Sequence, residues 1–439
     1  MNRLSLIIKI ILFSSSIMIS QESPREIGLG GSMTTLSRGI SSIGINPASL
    51  AYSTPEINIL NFNSYINNNL INLDIYNKLN GANLESDNSL LSKSEFLDLL
   101  GDRSVNINVG INTQLPAINY LTNNYAFTMR LRQFAELYTG NGFVKMFLLG
   151  NEWETEIPLE IKFISQTIME YGYSSWKDLR GFSIGYTIKY LQGINLIKLY
   201  TSQESEPLYT DSTGISLEFD LRRELYPGGS GYGVDFGILT NESKSGWSFG
   251  FSVINLFGYI NWDKHNLNYK LIGKQITNSM GLNAYSTEVF NYKIENLNAS
   301  DLMSGLIEFP DTVVSDTSYT ASLDFPVLKM DYPTMFRIGV SKNIENNIFL
   351  AYESRTGFHQ ENISLERWIH SLGIEIVKWH HFPLRFGITT GDDNNHKFGL
   401  GTGIHFLPVN IDIGLSWTGS RKLYTATGLE FGFSVTFIH

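Results

Sequence analysis

Read alternately, the segment Thr425 to His439 separates into two faces. Leu429, Phe431, Phe433, Val435 and Phe437 fall on one, and Glu430, Gly432, Ser434 and Thr436 on the other. Side chains alternate across a strand, so this segment predicts a strand with one large apolar face and one small or polar face. A soluble sheet with one face in a core shows the same alternation. A transmembrane β-barrel shows it too, with lipid outside and a polar lumen inside. Position and recurrence favour the barrel. The segment closes the chain, and the pattern returns upstream. Phe182, Ile184, Tyr186, Ile188 and Tyr190 alternate with Ser183, Gly185, Thr187 and Lys189. Phe336, Ile338 and Val340 alternate with Arg337, Gly339 and Ser341. Phe398 and Leu400 alternate with Gly399, Gly401 and Gly403, and Val409, Ile411, Ile413, Leu415 and Trp417 with Asn410, Asp412, Gly414 and Ser416. The polar face is heavy in glycine, which weakens an ordinary strand. In a barrel it lets the wall bend, or leaves room for something packed inside.

The connections alternate between short and long. Short ones fall near His380-His381, Leu407-Pro408, Asn343 to Asn346 and Asn241 to Gly246. Longer ones cover roughly 77–103, 135–162, 192–230, 257–333 and 355–368. Bacterial outer-membrane barrels have short periplasmic turns, longer extracellular loops and an even strand number. The expected fold is therefore all-β, an antiparallel transmembrane barrel of about 14 strands. They are placed at 57–76, 104–113, 124–134, 163–175, 181–191, 231–240, 247–256, 334–342, 347–354, 369–379, 382–390, 396–406, 409–418 and 425–438. A hairpin within 194–222 either raises the count to about 16 or extends a loop above the membrane. Short helices are expected at Ser92 to Leu100 and at Asp301 to Ile307. Trp262, Trp368, Trp379 and Trp417 fall near strand ends, which suits aromatic girdles at the two interfaces or packing in a soluble core.

Composition agrees with strands that face lipid. Charged residues make up 17% of the 439 residues, below the ~25% of soluble domains, and aromatics 13%. The formal net charge of −10 and the lack of a basic stripe argue against nucleic acid as a partner. Cysteine is absent, which excludes disulfides, thiolate metal sites and a cysteine nucleophile. Residues 1–20 read as a signal peptide cleaved after Ser20. Arg3 and Lys9 are its positive charges, Leu4 to Phe13 its apolar run, and Ser14, Ser15, Ser16 and Ser20 its small residues. An uncleaved anchor helix is the alternative, but the run is short for a span of about 20 residues.

Three stretches carry a resemblance. Gly28 to Tyr52 is rich in glycine and small residues and contains Asn46-Pro47-Ala48. Proline fixes φ and pushes the residue before it out of helix, so the triplet makes a rigid kink. Lys189 to Gly193, Gly231 to Gly237 and Tyr332-Pro333-Thr334 form further recurring segments. Together these resemble the superfamily of FadL/TodX-type hydrophobic-compound transporters, and within it an uncharacterised branch of the PorV/PorQ kind. The resemblance implies that residues 21–55 form a hatch or plug inside a barrel built from 56–439. A surface turn before the first strand is the plainer reading of the triplet. Ile45 stands where the relatives often carry Trp. Glu430, Gly432, Val435 and Phe437 resemble the C-terminal signal read by the barrel-assembly machinery, although Ile438 and His439 follow the aromatic. A plain amphipathic strand would show the same residues.

Enzyme signatures are weak. Gly28-Leu29-Gly30-Gly31 follows no strand, and Gly399 to Gly403 lies inside one, so neither suits a nucleotide loop. His380 and His381 face opposite ways at a turn, and Asp392-Asp393-Asn394-Asn395 reads as an acidic turn before it reads as a calcium site. No catalytic residue, metal site or cofactor is expected. Three functions stay open: passive uptake of hydrophobic small molecules, with loops 135–162 and 257–333 as capture surface; docking of secretion components without transport; and a soluble secreted β-protein. The expected partners are outer-membrane lipid and the assembly machinery, with a hydrophobic ligand or secretion partners besides.

Overall fold

The computed structural model describes residues 23–79, 92–114, 118–150, 153–203, 205–212, 214–262, 286–297, 314–320, 327–344, 347–357, 367–379, 381–392 and 395–439. Fourteen antiparallel strands close into a barrel. They are β1 (Glu56–Asn68), β2 (Val105–Gln114), β3 (Tyr125–Thr139), β4 (Ile161–Leu179), β5 (Phe182–Thr201), β6 (Gly229–Thr240) and β7 (Trp247–Trp262). The ring continues with β8 (Met335–Ile344), β9 (Ile348–Gly357), β10 (Ile369–Ile376), β11 (Leu384–Asp392), β12 (Asn395–Phe406), β13 (Val409–Thr418) and β14 (Gly428–Ile438). Each strand pairs with its successor, and β14 pairs back along β1, from Glu56 opposite Ile438 to Asn67 opposite Gly428. Closure leaves no free edge, the condition for strands to cross a bilayer. Every expected strand matches one of the fourteen.

Burial follows the period of two that the sequence carries. On β5, Ser183, Thr187 and Lys189 are fully buried while Tyr186 and Ile188 are exposed. On β14, Glu430 is buried and Leu429 and Phe431 are exposed. The apolar face is thus the outer one, which is the reverse of a soluble sandwich. Trp247, Trp368 and Trp379 are exposed on this outer surface, and Trp417 stacks on Phe398 at 5.8 Å.

Four expectations change. The first strand stops at Asn68 rather than 76, because Asn68 turns the chain with its own side chain. Its carboxamide oxygen accepts the Leu70 and Ile71 amides and its nitrogen donates to the Ile71 carbonyl. Asn72 then accepts the Ile75 amide at 2.9 Å, at the start of helix Leu73–Leu79. Such local bonds compete with a strand ladder. Second, the hairpin within 194–222 adds no strand to the ring. The upper half of β5 pairs with Gly214–Tyr226, which pairs in turn with Ser286–Leu297, and that with Val314–Thr320. They form a sheet leaning off the long-loop end. Third, Trp262 is no girdle residue: it is 0% exposed inside the barrel. Fourth, the helix Lys93–Leu100 forms as expected but starts one residue later, with Ser92 as its cap. Ser92 and Glu95 make a reciprocal capping box, and those bonds hold the Glu95 carboxyl below the usual carboxylate range. The signal sequence, His380, Asp393-Asn394 and the expected helix at 301–307 lie outside the described residues.

Residues 23–55 occupy the lumen. They form a helical turn at Pro24–Gly28 and two 3-10 turns at Ile40–Ser42 and Pro47–Tyr52. Ile27, Leu29, Met33, Ile40, Ile43 and Ile45 are all fully buried. Rows of glycine on the wall make room for this backbone. Gly373, Gly387 and Gly399 are cross-strand neighbours on β10, β11 and β12. Gly401, Gly414 and Gly432 are neighbours on β12, β13 and β14. A Cβ on Gly373 would lie 2.9 Å from the Leu29 carbonyl oxygen, and one on Gly387 would run into the Leu29–Gly30 peptide. Across the barrel, Gly250 and Gly339 are opposed and leave space for Thr34, and Gly185 and Gly237 for Asn46 and Pro47. Glycine thins the wall at these contacts with the inserted segment.

Candidate functional site

The lumen holds three layers: the inserted segment with its charged contacts, a second charged group on the opposite wall, and an apolar cluster toward the long loops. The first layer begins with Arg337 on β8. Its Nε donates to Glu353 at 2.7 Å and its Nη2 to Glu26 of the inserted segment at 2.7 Å. Glu353 also accepts the Met33 and Thr34 amides, at 2.9 and 2.8 Å, and the Thr34 hydroxyl. Arg355, opposite Arg337 in register, stands 3.9 Å from the same Glu26 carboxylate. Arg25 makes a two-pronged contact with Glu375 on β10, which also accepts from Arg385; Arg385 reaches Asp412 at 2.5 Å. Buried charges persist only when paired and hydrogen-bonded, and apart from Arg355, whose contact with Glu26 is a 3.9 Å ion pair, these are.

Bonds to backbone carbonyls of the segment complete the seat. Arg130 donates to the Ile43 carbonyl, Ser252 to Ile45, Ser183 to Ala48 and Thr389 to Gly30. Asn46 lies at the centre of this part. Its side-chain nitrogen donates to the Thr34 carbonyl at 2.9 Å and the Ile238 carbonyl at 3.1 Å, and its oxygen accepts the Ala48 amide at 3.1 Å. Asn46 thereby caps the turn that Pro47 opens. Ala48 is fully buried.

The second group spans β3 to β7. Lys189 lies 2.8 Å from Asp235 and 3.8 Å from Glu170, and donates to Asn255 at 2.8 Å. Arg130 and Arg132 approach Glu170 at 3.8 and 3.5 Å, and Tyr332 donates to it at 3.3 Å. Asn255 has φ +56° in a bulge of β7, a conformation asparagine tolerates better than most residues. Its amide donates to Asp235 and its side chain to the Pro333 carbonyl.

The apolar layer comprises Ile164, Ile168, Leu191, Leu196, Ile260 and Trp262, with Tyr226 and Tyr332. Ile168 follows Glu170 on the inward face of β4, so this layer lies directly above the second charged group. Gly193 and Gly229 leave room for the Trp262 ring. The hydroxyls of Tyr226 and Tyr332 are committed to Glu224 and Glu170.

At the short-turn end, beneath the inserted segment, lies a cavity of 360 Å³. It is polar. Arg25, Arg38, Glu56, Asn58, Arg385 and Asp412 contribute to its lining.

The C-terminal residues divide as their alternation requires. Glu430 points inward and pairs with Lys397, with Ser416 donating to it at 3.1 Å, and Gly432 faces Pro24 and Ile27. Val435 and Phe437 lie on the other face. Asn46-Pro47-Ala48 and this group are on different parts of the molecule and do not meet. His381 hydrogen-bonds the His405 carbonyl at 2.7 Å and stacks on Phe406. The helix Asn141–Leu149 turns Phe143 and Met146 onto Ile157, Leu159 and Leu208, so part of the expected capture loop is packed on itself.

A 14-strand barrel with its own N-terminal segment packed inside is the fold of the FadL-like barrels. Solved structures agree. The chain resembles the toluene transporter TbuX of Ralstonia pickettii over 96% of its length and 99% of that chain, at 10% identity and a TM-score of 0.54. It resembles a FadL homologue of Pseudomonas aeruginosa over 97% and 100%, at 11% identity and a TM-score of 0.54. The monoaromatic hydrocarbon channel CymD matches over 97% and 99%, at 11% identity and a TM-score of 0.50. At these identities the likeness establishes the fold. In sequence, residues 196–415 match the family described as "Family of unknown function (DUF5723)", and the chain belongs to that family. No curated protein matches it.

Proposed function

We propose that this protein is an outer-membrane barrel for passive uptake of hydrophobic small molecules, with residues 21–55 as its hatch. The observation that carries this reading is the inward-facing apolar layer around Trp262 on the long-loop side of the hatch. An apolar layer on that side offers an entering apolar molecule a surface that a water-filled lumen lacks. The structural neighbours named for toluene and monoaromatic hydrocarbons support the same reading. In it, residues 1–20 are a cleaved signal peptide, and Glu430, Gly432, Val435 and Phe437 serve assembly before they serve the finished wall. Lipid faces the outer strands. The affinity to the PorV/PorQ branch rests on the Asn46-Pro47-Ala48 region and the recurring strand segments.

Uptake of a labelled fatty acid and a labelled aromatic compound by cells with and without the protein tests the proposal. Faster uptake with the protein, reduced by Trp262→Ala, is expected; equal uptake in both cells rejects it for those substrates.

A second reading, a barrel that docks secretion components without transport, has its own observation. The strands β4 and β5 and the segments paired onto them build a broad sheet beyond the ring. Co-purification in one stable outer-membrane complex, with no uptake phenotype, would select it.

A further inference from the structure

The cavity beneath the inserted segment is chemically unlike the apolar layer above it. Arg25, Arg38 and Arg385 line it against Glu56, Glu375 and Asp412, so the charges balance. Much of this charge is spent internally. Glu375 takes Arg25 and Arg385, and Asp412 Oδ1 takes Arg385 and His405. What remains is of both kinds. Arg25 uses Nε and Nη2 on Glu375 and leaves Nη1 without a bond. Asp412 Oδ2 accepts nothing. Asn58, 5% exposed, has a buried side-chain oxygen with no partner, while its nitrogen makes only a 3.4 Å contact with Thr436. A buried acceptor without a partner costs roughly 1–3 kcal/mol, so the wall at Asn58 holds unused hydrogen-bonding capacity.

From this we infer that the cavity is a binding site for a small neutral polyhydroxylated solute of sugar size, reached from the short-turn side. An anion would meet three carboxylates, and a cation three guanidinium groups. A hydroxyl donates and accepts at once, so a polyol satisfies Arg25 Nη1 and Asp412 Oδ2 and packs against the Asn58 side chain without adding charge. The register supports a shaped surface. Asn58, Thr436 and Asn410 are cross-strand neighbours on β1, β14 and β13, and Asn61, Ser434 and Asp412 form the adjoining row. The volume of 360 Å³ lies within the roughly 300–1,000 Å³ of small-molecule sites. This inference does not depend on what crosses the upper lumen.

The test uses the full-length protein in an amine-oxide detergent, which lacks a sugar headgroup. Titration calorimetry with glucose, trehalose, glycine and sodium acetate separates the ligand classes. Saturable binding of a sugar, absent for glycine and acetate, is expected. Asn58→Leu should weaken it at least tenfold, and Thr436→Val less, with both variants retaining the heat-dependent gel mobility of a folded barrel. Saturable binding of glycine or acetate as strong as that of the sugars overturns the inference. So does equal sugar affinity in folded Asn58→Leu, or no saturable sugar binding by the parent protein. If only Asn58→Leu fails to fold, the Thr436→Val affinity decides, and an unchanged value rejects the site.

Discussion

Two sets of buried charges stand on different parts of one lumen wall and join different things. Arg337, Glu353, Glu375 and Arg385 join the wall to Glu26, Arg25, Met33 and Thr34 of the inserted segment. Glu170, Lys189 and Asp235 join β4, β5 and β6 to one another and to Asn255 of β7, and Arg130 beside them reaches the inserted segment at the Ile43 carbonyl. Both sets are almost fully buried, so burial alone does not distinguish them. Severability does. A wall-to-segment pair separates when the segment slides out and water takes its place. A wall-to-wall pair separates only if the barrel opens. One lumen thus holds a removable contact and a permanent one made of the same residue types.

The sharpest way to break this comparison is to remove one cation from each set. Lys189→Met leaves Glu170 and Asp235, both fully buried, without their ammonium group. Loss of one partner from a buried pair costs about 3–5 kcal/mol. The cost should fall on the barrel and appear as a lower melting temperature in heat-dependent gel mobility. Arg337→Met should cost somewhat less, because Arg355 remains 3.9 Å from Glu26. Its effect should fall on the inserted segment. The chain has no cysteine, so Ser32→Cys supplies a reporter: Ser32 is 1% exposed and its hydroxyl has no partner. Maleimide labelling there should speed up by about a hundredfold or more, since each ~1.4 kcal/mol is a factor of ten. The barrel should stay folded meanwhile. If both variants melt the barrel and free the segment together, the two sets are one.

A steric variant comes next. Gly387→Val places a side chain where the Leu29–Gly30 peptide lies. Overpacking of this kind costs about 1–3 kcal/mol. Labelling at Ser32→Cys should rise, with little change in barrel melting. An unchanged rate would mean that the segment has another seat.

The strands were legible because their signal is local. A period of two over Phe398 to Phe406 or Leu429 to Phe437 needs no knowledge of neighbours, and most of the fourteen strands carry it. The excess of glycine opposite the apolar face fits a bending wall or room for something packed inside, and the structure shows the second. The extent of that signal was not visible, because Gly373, Gly387 and Gly399 become one row only when the register is known. The ion pairs were hidden for the same reason: Glu26 and Arg337 lie far apart in sequence. Trp262 misled because a tryptophan near a strand end looks the same whether it faces lipid or lumen. The bulge at Asn255 displaces the alternation of β7, and only Asn255 and Gly258, both awkward in a strand, hinted at it. Asn46 was read for the kink beside it, and its three hydrogen bonds were not foreseen.

That last residue allows the finest test, because the triplet carries two separable effects. Asn46→Ala leaves the Ala48 amide and the Thr34 carbonyl without their buried partner, a loss of order 1–3 kcal/mol. Pro47→Ala removes no hydrogen bond, since proline has no N–H to give and the first position of a helical turn needs none. It acts instead on the released segment, which gains conformational freedom worth about 0.4–1 kcal/mol. Labelling at Ser32→Cys should therefore rise tenfold or more for Asn46→Ala and only a few-fold for Pro47→Ala. Equal rates would place the triplet's contribution in chain stiffness rather than in bonding. The segment's retention would then rest on its charged contacts at Arg337 and Glu375 and on the carbonyl bonds from Arg130, Ser183, Ser252 and Thr389.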